Sequence, residues 1–233
     1  MKKAVLFLLL STISITSSFA QGFERRAPRI NAGIDLGTGF QDGSWVPSFL
    51  YYQNLSAARA PWLQVGWGVR VWGYYGGATT LEAPDGASGY DKLRVGRVSM
   101  NGASFLLGVN LRVSIFDLGV NTDLFGISFG KRRQGLYSIA NVAAATDSIV
   151  EEYNNEFLGT APRNLNALPS VWKANNGQTE AYIRVRFNEQ VGLKVGYTVG
   201  RIAYRTDVAL NNRQSRFSSS FGMPYVALSL PLY

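Results

Sequence analysis

"WLQVGWGVRVWGYY", residues 62–75, alternates without a break. Leu63, Val65, Trp67, Val69 and Val71 fall on one face, and Gln64, Gly66, Gly68 and Arg70 on the other. A period of two places successive side chains on opposite faces of a β-strand. One face here is wholly apolar, while the other holds glycine and a charge. Which of the two meets water decides the class of protein.

The same pattern recurs along the chain. In "RINAGIDLGTGF" Ile30, Ala32, Ile34, Leu36, Thr38 and Phe40 oppose Asn31, Gly33, Asp35, Gly37 and Gly39. In "ASFLLGVNLRV" Phe105, Leu107, Val109 and Leu111 oppose Ser104, Gly108, Asn110 and Arg112. In "IFDLGVNTDLFGISF" Phe116, Leu118, Val120 and Leu124 oppose Asp117, Gly119, Asn121 and Asp123. "TEAYIRVRF" sets Ala181, Ile183, Val185 and Phe187 against Glu180, Tyr182, Arg184 and Arg186. "VGLKVGYTVG" sets Val191, Leu193, Val195, Tyr197 and Val199 against Gly192, Lys194, Gly196, Thr198 and Gly200. With "WVPSFLYYQNL", apolar on both faces and carrying Pro47, and a last strand from about Ser220 to Tyr233, the count is eight strands.

The links near 54–61, 113–115 and 189–190 are short, as is 41–44, whereas those near 76–94, 130–177 and 205–216 are long. Apart from 41–44, short and long connections alternate, as the inner turns and outer loops of a transmembrane barrel do. The stretch 130–177 is too long for a plain loop. Ile139, Val142, Ala143, Ile149, Val150, Tyr153 and Phe157 recur there at helical spacing, which predicts a helix over 138–158 on the outer side, as a lid or a binding cap.

Composition narrows the setting. The start, "MKKAVLFLLLSTISITSSFA", has a basic n-region, an apolar core and small residues before Ala20, so residues 1–20 read as a cleaved export signal and 21–233 as one domain. Removing Lys2 and Lys3 leaves 21 bases against 15 acids, a surplus that favours anionic partners. Export argues against nucleic acid. The chain has no cysteine and no histidine. No apolar run after residue 20 is long enough for a membrane helix, so any spanning structure must be a closed β-barrel.

The polar face favours that architecture over a soluble exported ligand-binding barrel. It is rich in glycine, and its charges nearly balance: Asp35, Asp117, Asp123 and Glu180 against Arg70, Arg112, Arg184, Arg186 and Lys194. A narrow lumen selects small residues and paired charges, so these nine are expected to form an interior ion-pair network. The opposite face is uncharged wherever the alternation is clear. Aromatics gather towards strand ends, with Phe40, Trp45, Trp72, Tyr74, Tyr75, Phe129 and Tyr204 at one level and Tyr51, Tyr52, Trp62, Phe116, Phe187 and Tyr233 at the other. Two such belts mark membrane–water interfaces.

The signal at 1–20, the alternating strands and the terminal "YVALSLPLY" resemble the small, eight-stranded outer-membrane β-barrel proteins of Gram-negative bacteria. The resemblance implies a closed antiparallel transmembrane barrel, outer-membrane lipid and lipopolysaccharide as surroundings, and Tyr233 as the signal read by the barrel-assembly machinery. Tyr233 departs from the usual pattern. It shares a face with Tyr225, Ala227, Ser229 and Pro231, whereas the apolar Val226, Leu228, Leu230 and Leu232 lie on the opposite one.

The residues argue against catalysis, a metal or a cofactor. The acyl-transfer and deacylase chemistry of lipid-modifying members of that class uses a histidine, which this chain lacks. Asp117 and Asp123 lie six residues apart on one strand, roughly 20 Å, too far for a glycosidase pair. "GTG" at 37–39 lacks the rest of a nucleotide-binding fingerprint, and no acidic cluster has calcium-loop spacing. "GKRRQG" sets Lys131, Arg132 and Arg133 at a strand end, where they could meet lipopolysaccharide phosphate. Four arginines in an eight-stranded lumen leave no wide channel. The expected role is structural or binding through the outer loops. A narrow path for small or hydrophobic solutes is the alternative.

Overall fold

The computed structural model describes residues 29–57, 59–83, 91–139, 153–210 and 214–232. The expected leader, residue 233 and residues 140–152 lie outside them. Thirteen strands follow in chain order: β1 (Arg29–Gln41), β2 (Ser44–Ala57), β3 (Ala60–Gly76), β4 (Thr79–Glu82), β5 (Lys92–Val95), β6 (Val98–Val113), β7 (Phe116–Phe129), β8 (Arg133–Ser138), β9 (Phe157–Pro162), β10 (Leu165–Ala167), β11 (Gly177–Arg186), β12 (Gly192–Thr206) and β13 (Arg216–Pro231). All belong to one antiparallel sheet.

The eight long strands pair in the cyclic order β1-β2-β3-β6-β7-β11-β12-β13, and the seam closes where β1 meets β13, from Gly33↔Pro231 to Gly39↔Tyr225. Sequence neighbours join through tight turns at one end, the turn end. Ser114, at φ 57°, makes the two-residue link from β6 to β7 there. The link Asp42-Gly43 lies at the opposite end, with Gly43 at φ 71°, a conformation that glycine adopts without a Cβ penalty.

At that opposite end two of the long connections, 76–94 and 130–177, carry strands of their own. β4, β5, β8 and β9 bridge the upper parts of β12 and β13 into a second ring, β12-β9-β8-β5-β4-β13. This cap holds the apolar core, built from Leu81, Leu93, Met100, Tyr137, Tyr204 and Phe217 among others. The helix expected over 138–158 falls mostly on residues outside the description, and both its ends are strand. Burial alternates with period two in β8 and in β9, so at Ser138 and at Phe157 and Leu158 sheet pairing takes the place of the expected helix. No helix is described.

Side chains divide as the alternation requires. In β3, Val65, Trp67, Val69 and Val71 face outward and are exposed, while Gln64, Gly66, Gly68 and Arg70 are buried inside the ring. Two expectations change. Trp72, Tyr74, Tyr204 and Tyr52 are buried inside the ring or cap, not on an outer aromatic belt, because their parity is that of the inner face. Phe40, Trp45, Phe129, Trp62, Phe116 and Phe187 are exposed. Leu124 does not continue the outer face of β7. The ladder to β6 shifts there, Phe105 pairing with Phe125 and Leu106 with Asp123, so one extra residue bulges and Phe125, Ile127 and Phe129 take the outer face.

Candidate functional site

The ring interior is the most concentrated chemical feature of the molecule. Its charges stand on inward positions at different levels, and the alternation of six strands brings them together. Asp123 and Glu180 both pair with Arg70, at 3.0 Å each. Glu180 also meets Lys194 Nζ at 2.8 Å, and Lys194 meets Asp35 at 3.0 Å. Asp35 in turn meets Arg184 at 2.8 Å. Asp117 lies 3.8 Å from Arg184, 3.7 Å from Arg186 and 2.8 Å from Arg112. The structure thus joins all nine lumenal charges into one chain running from Asp123 to the turn end. Arg70, Arg184, Lys194 and the four carboxylates are fully buried, while Arg112 and Arg186 are half-buried at the mouth.

Neutral groups complete the network, as buried charges require. Ser229 Oγ donates to Asp35 at 2.7 Å, the Gln178 backbone N–H donates to Asp123 at 3.1 Å, and Asn121 Nδ2 donates to Glu180 at 3.2 Å. Arg70 also donates to Asn121, and Tyr182 to Asn110. Three tyrosines line the cations. Arg184 lies 4.4 Å from the Tyr52 ring centroid, and Lys194 lies 4.1 Å from that of Tyr182 and 5.4 Å from that of Tyr225. Such cation–ring contacts gain strength when desolvated. Reading charges alone misses Asn110, Asn121, Ser229 and these tyrosines, although their strand parity marks them as inward.

The glycines of the inner face make room for these large groups. A Cβ on Gly119 would collide with Asn110 and Tyr182, and one on Gly33 with the Tyr52 ring. Arginine and tyrosine fill the space that glycine leaves, so the lumen is packed across its middle.

Cavities lie at both ends of the ring, and one of them borders this plug. At the turn end a cavity of ≈ 660 Å³ opens among Asn31, Arg112, Asp117, Arg184 and Arg186. At the cap end one of ≈ 740 Å³ lies between the Gln41–Ser44 turn and Ser219–Gly222 of β13. There β1 has left β13 at Tyr225 and β4 joins it only at Ser218, so among the described residues 219–224 have no partner strand on that side. A third cavity, of ≈ 490 Å³, lies beside Arg163, Arg205 and Arg216.

The basic triplet Lys131, Arg132 and Arg133 disperses. Lys131 is exposed, Arg132 pairs with Asp207, and Arg133 reaches Ser99 Oγ at 3.3 Å. Tyr233 lies outside the described residues. Among the described residues no group of three or more potential metal ligands occurs.

No protein-family profile and no curated protein matches the chain. Among solved structures it is similar to a major outer membrane protein from Thermus thermophilus, at 10% identity and a TM-score of 0.39, over 88% of this chain and 100% of that one. It also aligns with a triple mutant of the Rhodopseudomonas blastica porin at 8% identity and a TM-score of 0.11, over 88% of this chain and 100% of that one. At these scores the strand pairing itself, and not the likeness, carries the reading of the fold.

Proposed function

We propose that the protein is an eight-stranded outer-membrane β-barrel with a plugged lumen, whose role is structural or binding and is exercised at the cap end. One observation carries the placement: the ring is inverted relative to a soluble domain. Its outer surface is a continuous girdle of Leu36, Val69, Val109, Val120, Val195 and Leu228 with their neighbours, while seven charged side chains are sealed inside. Soluble monomers rarely expose apolar patches of more than a few hundred Å². Apart from residues 219–224 of β13, the closed ring also leaves its long strands no open edge, which lipid could not satisfy.

The turn end then faces the periplasm, and the cap, joined through the longer connections, faces outward. A binding role is favoured over catalysis because all four lumenal carboxylates are held in ion pairs. The closing strand β13 is the segment that the assembly machinery would read.

Fractionation tests the placement. The protein should need detergent for release and should migrate differently on gels with and without heating. Release by osmotic shock alone would sink it. Purified protein in planar bilayers should show no nanosiemens steps. Deleting 136–172 should abolish partner capture by the cap while keeping heat-modifiable migration. A second reading, a narrow lateral path for apolar solutes, rests on the ≈ 740 Å³ cavity beside the unpaired stretch of β13. Uptake that depends on the Gln41–Ser44 turn would favour it.

A further inference from the structure

Arg205 and Arg216 stand directly opposite each other on β12 and β13, on the outward face of the cap end. Like charges opposed across a sheet repel and destabilise the pair. A third guanidinium joins them. Arg163, in the turn after β9, is anchored by donating Nε to the Leu165 carbonyl and Nη1 to the Ala174 carbonyl, at 3.0 Å each. All three line the ≈ 490 Å³ cavity. The acid lining the same cavity, Asp207, is already engaged by Arg132. Burial, and after it the nearby Arg216 and Arg205, holds the Arg163 guanidinium below its ordinary basicity. Among the described residues the fold thus keeps three cations around a space whose one lining acid, Asp207, is already paired.

The position says what anion would balance them. Leu165 lines the same cavity, is 72% exposed, and pairs with Ile127 on the outward apolar surface of β7. Along β12 Tyr197, Val199, Arg201 and Arg205 share the outward parity, with Ala203 buried between the two arginines, so apolar surface gives way to arginine within a few residues. A ligand there meets hydrocarbon on one side and guanidinium on the other. We propose that Arg163, Arg205 and Arg216 form a site for the phosphate headgroup of an outer-leaflet lipid, whose acyl chains lie against Leu165 and Ile127. Arginine suits it, because the planar guanidinium can bind phosphate through two parallel hydrogen bonds. The inference rests on the outer-membrane reading above. It places the basic lipid contact on these three residues and not on the dispersed triplet at 131–133.

The test uses the full mature protein inserted into phosphatidylcholine vesicles with and without lipid A, with inorganic phosphate as a control. Lipid A should raise the temperature at which the folded gel band is lost. R163Q/R205Q/R216Q should fold in plain phosphatidylcholine and lose most of that rise, each arginine removed weakening lipid A capture about tenfold. Should the triple variant fail to fold, R205Q alone serves, since it relieves the Arg205–Arg216 repulsion. An undiminished rise in the variant would overturn the site. An equal rise with inorganic phosphate would overturn the lipid source. Failure of the native protein to insert into plain vesicles would instead overturn the membrane reading beneath it.

Discussion

Arg184 and Asp35 meet across the lumen at 2.8 Å from strands that do not pair, 149 residues apart in sequence. Asp35 also holds Lys194 at 3.0 Å and accepts from Ser229, so one carboxylate ties β1 to β11, β12 and β13. A buried ion pair adds little over an apolar filling of the same shape, but removing one partner strands the other. Asp35→Ala leaves both Arg184 and Lys194 under-compensated and should cost about 3–5 kcal/mol. Urea unfolding of the refolded protein in vesicles measures it. A loss below about 1 kcal/mol would show that water reaches the lumen and solvates the cations.

Val109 sits mid-strand on the outer face, paired across to Val65 and Val120, both of them exposed. In lipid, Val109→Arg should destabilise the inserted protein by about 2–4 kcal/mol. On a water-facing surface the same change would stay within about 0.5 kcal/mol. The equilibrium stability of the variant in vesicles therefore tests the environment of this face directly, without relying on fractionation.

Much of this was legible in sequence because a closed ring with a lumen converts parity into location. Gln64 to Trp72 needs no tertiary knowledge to sort, and six of the long strands follow from such runs, whereas β2 is apolar on both faces and β13 begins at Arg216, before the Ser220 expected. What escaped is what parity cannot carry. Leu124 is misplaced because a bulge adds a residue that leaves no mark in the alternation. Trp72 and Tyr74 look like interface aromatics until the cap supplies an apolar core for them. The cap strands are four to six residues long and pair with partners far away in sequence, as Arg133 does with Thr160, so local periodicity is too short to reveal them. Charges could be assigned to the lumen as a set, but which base meets which acid depends on strand stagger.

Gly37 illustrates the packing limit inside the ring. A Cβ there would collide with Tyr225 Oη and Ala227 Cβ. Tyr225 is itself fixed by a 2.8 Å hydrogen bond with Ser48 and by Lys194 beside its ring. Gly37→Val should therefore destabilise by about 1–3 kcal/mol through overpacking. Adding Tyr225→Ala should restore part of the loss, a non-additive pair measurable in a double-mutant cycle. Simple additivity would mean that Tyr225 does not occupy the space beside Gly37.

The cap supplies a pH test that is independent of the lumen. Tyr137, buried in the cap core, donates its hydroxyl to Asp91 Oδ2 at 2.7 Å, and Asp91 Oδ1 has no hydrogen-bond partner among the described residues. Burial first, and then the Asp91 carboxylate, pushes the Tyr137 hydroxyl well above its ordinary 10.0. The sign follows from linkage. The folded state keeps this proton after the unfolded chain has lost it, so the contribution is whole below about pH 10 and falls as pH rises beyond it. Tyr137→Phe removes that alkaline dependence and leaves the buried Asp91 without its donor, at a cost of about 1–3 kcal/mol near neutrality. Unfolding midpoints measured from neutral pH into the alkaline range should therefore converge for the two proteins as pH rises. Parallel curves would show that Tyr137 meets solvent and that the cap does not close over it.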